Sequence, residues 1–273
     1  MDKHSQFTLA EIINLEDYPI NEADSVRLQT LVSALQSQLE RDQYCVLNNF
    51  IRDAAINAAV TDVNAAMKQG YRNSSHRNCY LRRDPDPDLP EDHPSNIFFD
   101  AAYTMIAADL LPATFALKTL YYWQPMIDFV ARVTGTSALY PSADPYQPVN
   151  VLCSSSGDES AWHFDSWNAF TMTLMLQPPQ SGGEFELVPG IRSKAEPNHA
   201  ALARVLNGDR SRVVTVPRDP GALVIFRGST ALHRVSPVQG NTARLMGVFV
   251  YEESPDVVGD SHVNATVYGP RAV

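Results

Sequence analysis

The order of apolar and polar residues divides the chain into a helical first half and a strand-rich second half. Over residues 25–43 apolar side chains recur at intervals of three and four, which is typical of an amphipathic helix. Residues 51–69 repeat this period and are followed by Gly70, a common residue at a helix end. The period returns over residues 111–134, where Pro125 is expected to kink or split the helix because proline has no N–H to donate.

After Pro141 the apolar residues occur in alternation or in short runs, separated by turns rich in glycine, proline and asparagine. The strands that we predict in this half are residues 149–153, 170–177, 184–188, 212–216, 222–226 and 243–251, and one more in the first half is residues 44–50. Many short strands with little helix between them are typical of an antiparallel barrel or a double-sheet jelly roll. The pattern therefore predicts an α+β fold, with N-terminal capping helices on a jelly roll.

We expect one domain over residues 1–273. Residues 1–140 are predicted to form a mainly helical capping part, and residues 141–273 the jelly-roll core. We find no internal repeat and no linker-like composition, and 273 residues are enough to bury a substantial core.

Composition narrows the classes of function without naming one. Lys and Arg number 21 against 31 Asp and Glu, which gives a formal net charge of −10. Such a chain is a poor match for nucleic acid or for an anionic membrane, because both attract clustered positive charge. The first residues lack the basic and apolar regions of a signal peptide, and no apolar stretch is long enough to span a bilayer. We expect a cytoplasmic protein with a small-molecule substrate; its oligomeric state stays open, with a homodimer as one option.

The three cysteines give no sign of a functional site. They are far apart in the sequence and odd in number, which argues against a disulfide framework or a zinc site built from cysteine. Cys153 is predicted to be a small buried hydrophobic residue and not a nucleophile, because no partner base is evident.

The clearest candidate chemistry combines two histidines with one aspartate. His163 and Asp165 are two residues apart, so on an extended chain both side chains point to the same face. His233 follows 70 residues later, just after the predicted strand 222–226. Two imidazoles and one carboxylate form the ligand set of non-haem Fe(II) sites, which leave coordination positions open for a co-substrate and O2. Arg244 lies 11 residues beyond His233 in an apolar run, where a positive charge needs an anion.

In this order and spacing these residues resemble the Fe(II)/2-oxoglutarate-dependent oxygenases. The resemblance covers about residues 150–251 and implies a double-stranded β-helix. It implies that His163, Asp165 and His233 are the iron ligands and catalytic residues, and that Arg244 binds the distal carboxylate of 2-oxoglutarate. The reaction implied is oxidation of a substrate C–H bond, coupled to decarboxylation of 2-oxoglutarate to succinate and CO2 with O2 as the other co-substrate.

Two segments, residues 182–192 and 226–235, resemble a narrower subgroup of this family. That subgroup contains carrier-independent halogenases of free amino acids and their hydroxylating relatives. The halogenases replace the carboxylate ligand by glycine or alanine, which opens a site for chloride. Because Asp165 is present here, the resemblance implies hydroxylation of a small polar metabolite, such as a free amino acid or a derivative.

Further residues are candidates for binding. Alternation along the predicted strands turns Thr173 and Asn150 toward the barrel interior, where both are predicted to lie near 2-oxoglutarate. Arg77 belongs to the basic segment 72–83, which is predicted to cap the barrel mouth and to supply an arginine for a substrate carboxylate. Trp167 is predicted to line the substrate pocket.

Plainer interpretations of the same residues stay open. The segment 72–83 is also typical of a solvated loop whose basic residues form ion pairs. Trp167 is also compatible with a place in the hydrophobic core, and Arg244 with a structural ion pair. The three ligands are also compatible with zinc, although zinc does not explain Arg244. For the whole chain the alternatives are an oxygenase of a protein side chain or of a carrier-bound substrate, and a non-catalytic barrel that binds a metal or a metabolite.

Overall fold

The structure, a computed structural model, describes residues 7–168 and 170–272. Within these residues the α-helices are Leu9–Ile12 (α1), Val26–Asp42 (α2), Asp53–Ala66 (α3), Ala116–Tyr121 (α4), Gln124–Thr134 (α5), His199–Leu206 (α6) and Ser261–Tyr268 (α7). The longer strands are Tyr44–Leu47 (β1), Tyr71–Asn78 (β2) and Phe98–Ile106 (β3), with the short Tyr140–Pro141 (β4), and then Val149–Ser154 (β5), Ser160–His163 (β6) and Thr171–Gln177 (β7). The remaining strands are Ser181–Gly182 (β8), Phe185–Val188 (β9), Val214–Val216 (β10), Leu223–Phe226 (β11), Leu232–Val235 (β12), Val238–Gln239 (β13), Arg244–Phe249 (β14) and Tyr251–Glu252 (β15).

Two antiparallel sheets form the jelly roll. The larger has seven strands in the order β1-β11-β7-β14-β5-β3-β2, and the smaller has four in the order β10-β9-β12-β6. One cavity is lined by side chains from both sheets, so the sheets face each other across it. The outer face of the larger sheet packs against the helices, in a core that joins α2, α3, α4 and α5 to β5, β7 and β11. The predicted α+β jelly roll is confirmed, as two facing sheets within the described residues and not as a closed barrel.

The predicted helices follow the apolar pattern, with ends set by local chemistry. The Ser25 side chain accepts a hydrogen bond from the Leu28 N–H and so caps α2. Gln43 ends that helix in the left-handed conformation. Pro125 splits the third predicted helix: α4 ends at Tyr121, and α5 begins at Gln124 with the proline in its first turn.

The first half carries two strands, β2 and β3, that its pattern does not predict, beside the helices α1 to α5. The basic segment 72–83 begins as β2, which pairs with β3 along its whole length from Tyr71 opposite Met105 to Asn78 opposite Phe98. The sequence of β2 is polar on both faces, so it has no apolar alternation by which to recognise a strand. Its conformation comes from pairing with β3, a long-range interaction. None of the helices in the described part of the chain is long and apolar enough to cross a membrane.

Candidate active site

The three predicted metal ligands meet at one end of the smaller sheet. His163 is the last residue of β6, and it stands directly opposite His233 of β12 in the strand register. Asp165 follows two residues after His163, and its Oδ1 lies 3.8 Å from His163 Nε2 and 3.6 Å from His233 Nε2. The three ligand atoms all lie within 4.8 Å of one another. This spacing lets one cation contact all three.

Backbone carbonyls orient both imidazoles. His163 Nδ1 donates to the carbonyl of Ala161 at 2.7 Å, and His233 Nδ1 donates to that of Ala231 at 3.0 Å. With Nδ1 donating to the backbone, each ring turns its Nε2 toward the site, the arrangement found in metal-binding histidines. Burial, together with the neighbouring His233, lowers the pKa of His163 to about 3, so its ring is neutral at physiological pH.

The carboxylate of Asp165 is held in place by two neighbours. Burial alone would raise its pKa, but His233, His163 and a hydrogen bond from Thr171 outweigh burial and lower the pKa well below the usual range. Thr171 Oγ1 donates to Asp165 Oδ2 at 2.5 Å, and the Asp165 N–H donates to the carbonyl of Gly228 at 3.0 Å. A Cβ at position 228 would lie 2.0 Å from Asp165 Oδ2, so only glycine leaves room for the carboxylate here.

The ligands open into a cavity of about 260 Å³ between the two sheets. Its polar lining includes the three ligands, two threonines, Asn150, Tyr268 and two arginines. The rest of the lining is mostly apolar: Met105, Leu152, Phe185, Phe226, Val235, Met246, Val248 and Val250. A cavity of this size and polarity suits a small molecule with few charged groups.

Arg244 lies in this cavity as a buried, unpaired cation. It is 2% exposed, and its Nε donates to the carbonyl of Gly183 at 3.1 Å. Burial lowers its pKa to about 10, so it remains charged at neutral pH. Within residues 7–168 and 170–272 no carboxylate lies within ion-pair distance of it, so the alternative of a structural ion pair has no partner there. The guanidinium can therefore bind an incoming anion.

The other two predicted co-substrate residues also line the cavity. Thr173 Oγ1 accepts a hydrogen bond from Arg218 Nη1 at 2.5 Å. Asn150 Nδ2 donates to the Gln147 carbonyl and to the Tyr268 hydroxyl, each at 3.1 Å, while its Oδ1 is buried without a protein partner. Their contact with 2-oxoglutarate stays a prediction, but an unpartnered amide oxygen in a cavity marks a position where a ligand or water donates a hydrogen bond.

The two predicted substrate residues lie in different places. Arg77 interacts with the Tyr103 hydroxyl, and its positive charge lowers the pKa of His163, but its side chain is not part of the cavity lining. Trp167 lies outside the cavity: it is half-exposed, and the guanidinium of Arg192 lies 4.5 Å from its ring centroid. Its position gives no support to the expectation that it lines the substrate pocket.

Two plainer expectations can also be compared with the structure. The ion pair made by the basic segment joins Arg72 to the buried Asp158, at 2.5 and 2.6 Å, instead of joining the segment to the acidic residues that follow it. Cys153 is buried, and burial raises its pKa to about 12, so its thiol stays protonated and is a poor nucleophile.

Sequence reasoning missed three residues of the site. Arg218 lies in a Pro-Arg-Asp-Pro turn, where no alternation of apolar and polar residues predicts that its side chain faces the interior. Tyr268 belongs to α7, in which the helical spacing of apolar residues is weak. Gly228 stands in the segment that carries the family resemblance, but its role becomes visible only from its distance to Asp165. Of these three residues, only Gly228 has a local feature in the sequence that could have drawn attention to it, its place five residues before the candidate ligand His233.

The donor set fits the cofactors that the resemblance implies. Two imidazoles and one carboxylate suit Fe(II), and they occupy one side of the site and leave the cavity side open. A buried guanidinium in the same cavity suits a carboxylate of 2-oxoglutarate.

Comparison with solved structures places the fold among 2-oxoglutarate enzymes. The carbocyclase SnoK from nogalamycin biosynthesis is 13% identical, with a TM-score of 0.56 over 89% of this chain and 93% of that one. The epimerase SnoN from the same biosynthesis is 12% identical, with a TM-score of 0.56 over 82% and 81%. A Trichoplax adhaerens prolyl hydroxylase, solved with a peptide fragment, is 16% identical, with a TM-score of 0.51 over 84% and 95%. At these identities the likeness is one of fold.

Comparison at the level of sequence identifies the family. The comparison with curated proteins gave no match. The family model described as Halogenase D matches residues 101–267, more than half of the chain and all three candidate ligands. The chain therefore belongs to the Halogenase D family, within the Fe(II)- and 2-oxoglutarate-dependent oxygenases.

Proposed function

We propose that this protein hydroxylates an aliphatic C–H bond of a small carboxylate-bearing metabolite, a free amino acid or a close derivative. The co-substrates are 2-oxoglutarate and O2, and the co-products are succinate and CO2. One observation carries the choice of hydroxylation over halogenation: the third ligand position is filled by the carboxylate of Asp165, held by Thr171 and fitted against Gly228. When bound, Fe(II) and 2-oxoglutarate supply the oxidising chemistry, and the protein positions the target.

The carboxylate separates this proposal from halogenation. In the halogenases that this chain resembles, glycine or alanine replaces the carboxylate ligand, and the halide binds the metal at the position left empty. In this chain a cation held by both imidazoles also contacts Asp165 Oδ1, which lies within 4 Å of each Nε2. The name of the matching family model does not by itself assign the reaction, because hydroxylases and halogenases share this fold.

The size and lining of the cavity support a small target with an aliphatic part. About 260 Å³ must hold 2-oxoglutarate and the reacting part of the target together. Val248, Val250 and Met105 give an apolar wall on which an aliphatic chain can pack and from which water is excluded. Arg77, hydrogen bonded to Tyr103 near His163, is the candidate for the carboxylate of the target.

A succinate-release screen over free amino acids and their simple derivatives tests the proposal. With Fe(II), 2-oxoglutarate and O2, we expect at least one compound to give succinate and a product heavier by one oxygen atom, and no chlorinated product in chloride. His163→Ala is expected to abolish both signals. His76→Ala, an exposed histidine on β2 paired with Asp100, is the matched control and should leave them unchanged.

Other outcomes of the same screen point elsewhere. A chlorinated product from the unaltered protein would contradict the argument from Asp165. Turnover of a carrier-tethered or peptide-bound amino acid, with none of the free form, would replace the proposed substrate class. Zinc in the purified protein, with no oxygen uptake on addition of Fe(II) and 2-oxoglutarate, would favour a non-catalytic barrel.

A further inference from the structure

A second arginine reaches the cavity from the turn between β10 and β11. Arg218 Nη1 donates to Thr173 Oγ1 at 2.5 Å and lies 3.5 Å from the sulfur of Met246. Its Nε is buried and has no hydrogen-bond partner. A guanidinium presents five N–H donors, so most of the donors of Arg218 remain available to a ligand.

Aromatic rings fix the position of this guanidinium. Its central carbon lies 3.9 Å from the ring centroid of Phe185 and 5.9 Å from that of Phe226. The same two rings lie 5.8 and 5.0 Å from the His233 ring. Arg218 is therefore held against two aromatic rings that also contact a metal ligand. Moving the guanidinium into solvent would break its contacts with both rings.

Arg218 and Arg244 are two cations facing one small cavity. Burial lowers the pKa of Arg218 well below its ordinary value, and the positive charge of Arg244 lowers it further. In the part of the chain that the structure describes, neither has a carboxylate within ion-pair distance. Two unpaired cations enclosed together destabilise the fold, and a shared anion relieves both the burial and the repulsion.

We propose that Arg218 is a second cofactor-binding arginine, which holds the distal carboxylate of 2-oxoglutarate together with Arg244. A carboxylate has two oxygens and about four acceptor sites, enough for two guanidinium groups. Thr173 then acts as the positioning residue for Arg218, through the hydrogen bond from Nη1.

The elements that hold the two arginines favour a shared carboxylate over the alternative that Arg218 binds the carboxylate of the target. Arg244 and Met246 belong to the same strand, β14, and Arg218 contacts Met246 directly. Thr173, its other partner, pairs in register with Val248 of that strand. Arg77 comes from β2 at the far edge of the larger sheet, a separate location suited to a separate anion.

Equilibrium binding to the Fe(II)-loaded protein without O2 tests this, because it needs no turnover. The probes are 2-oxoglutarate and 2-oxopentanoate, which keeps the 2-oxo acid but lacks the distal carboxylate. For Arg218→Met we expect 2-oxoglutarate to bind about 10- to 100-fold more weakly, with 2-oxopentanoate unchanged within about twofold. Arg212→Met, an exposed arginine of the preceding segment, is the control and should bind both probes as the unaltered protein does.

Unfolding of the ligand-free protein provides a second measurement. Because Arg218→Met removes a partly buried cation that has no carboxylate partner among the described residues, and keeps an apolar side chain, its melting temperature without ligand should be equal to or higher than that of the unaltered protein. The stabilisation on adding 2-oxoglutarate should fall in parallel with the lost affinity.

Three results would overturn the proposal. The first is unchanged affinity of Arg218→Met for 2-oxoglutarate. The second is an equal loss for both probes, which would indicate a general distortion of the site. The third is a raised KM for the target with unchanged 2-oxoglutarate affinity, which would assign Arg218 to the target instead. The first two results need no turnover, so failure of the hydroxylase proposal and failure of this one are distinguishable.

Discussion

At the scale of single residues, the carboxylate of Asp165 is fixed by two close neighbours, the Thr171 hydroxyl and Gly228. His163, Asp165 and His233 are recognisable because their chemistry and spacing are unusual together. Arg218 and Gly228 are not, since an arginine in a turn and a glycine near a strand end are common in any sequence. Their roles arise from distances across the fold, which no local pattern encodes.

The first residue-scale prediction concerns Gly228. In Gly228→Ala the new Cβ would approach Asp165 Oδ2 to 2.0 Å, so the carboxylate must rotate away from the imidazoles. We expect affinity for Fe(II) to fall about 10- to 100-fold, the range typical of lost support around a metal ligand. Anaerobic titration with Fe(II) measures it, and Ser166→Ala, an exposed neighbour of the aspartate, is the control.

Thr171→Val provides an independent check on the same carboxylate. It removes the hydrogen bond to Asp165 Oδ2 while keeping the shape of the side chain. A smaller loss of Fe(II) affinity than in Gly228→Ala is expected, because Asp165 loses a partner but meets no clash. Unaltered Fe(II) binding in both variants would contradict the view that these two residues hold the ligand.

At the scale of elements, long periodic segments are predictable and short paired ones are not. Helix α2 follows its apolar period closely, whereas β6 and β12, which carry both histidines, have only four residues each. A strand of four residues gives too few positions for alternation to stand out. Strand β2 is longer, with eight residues, but it is polar on both faces and forms a strand through its pairing with β3.

The outer face of β12 is stabilised by a buried ion network, which yields an element-scale prediction. Glu186 of β9 is 4% exposed and accepts hydrogen bonds from Arg234 of β12, at 2.5 Å, and from Arg210. Burial alone would raise the pKa of Glu186, but the two arginines outweigh burial and lower it below its ordinary value of 4.5. In Glu186→Gln the charge is lost, and we expect the free energy of unfolding to fall by about 1–3 kcal/mol at pH 7.

The sign of the pH dependence follows from the lowered pKa. A carboxyl group that is more acidic in the folded protein contributes stability above its unfolded pKa and loses it as the pH falls through the folded value. The difference between the unaltered protein and Glu186→Gln should therefore be full at pH 7 and shrink below about pH 4.5. Urea unfolding across this range measures it, with the exposed Glu91→Gln as control; a difference that grows on acidification would refute the assignment.

At the scale of the whole molecule, the cavity is assembled from parts of the chain that are distant in sequence. Met105 comes from β3, the ligands from β6 and β12, and Tyr268 from the C-terminal helix α7. Composition reports a net charge of −10, yet the cavity is lined by two arginines, the buried Arg244 and the partly buried Arg218. The average charge of a chain describes its solvated surface, so it could not indicate a cationic interior site.

The buried Asp144 holds the start of the segment that brings Tyr268 to the cavity wall. Asp144 Oδ2 accepts hydrogen bonds from the Gly259 N–H at 3.0 Å and from Asn264 Nδ2 at 2.6 Å. Farther along α7, the Val267 carbonyl accepts from Asn73 of β2, and the Tyr268 hydroxyl accepts from Asn150 on the cavity wall. Helix α7 is therefore attached near its start to Asp144 and at its last residue, Tyr268, to Asn150 on the cavity wall.

Asp144→Ala removes the first of these attachments and leaves the Gly259 N–H and the Asn264 amide without their acceptor. We expect amide hydrogen exchange over residues 259–272 to rise at least about tenfold, because local opening there no longer breaks two buried hydrogen bonds. Exchange in β6 and β12, and affinity for Fe(II), should stay unchanged because neither depends on α7. Asp42→Ala, which loses only an ion pair with the adjacent and exposed Arg41, should change none of these measurements. If exchange over residues 259–272 stays slow in Asp144→Ala, packing of α7 against β2 and β3 is what holds the segment, and Asp144 only orders its own loop.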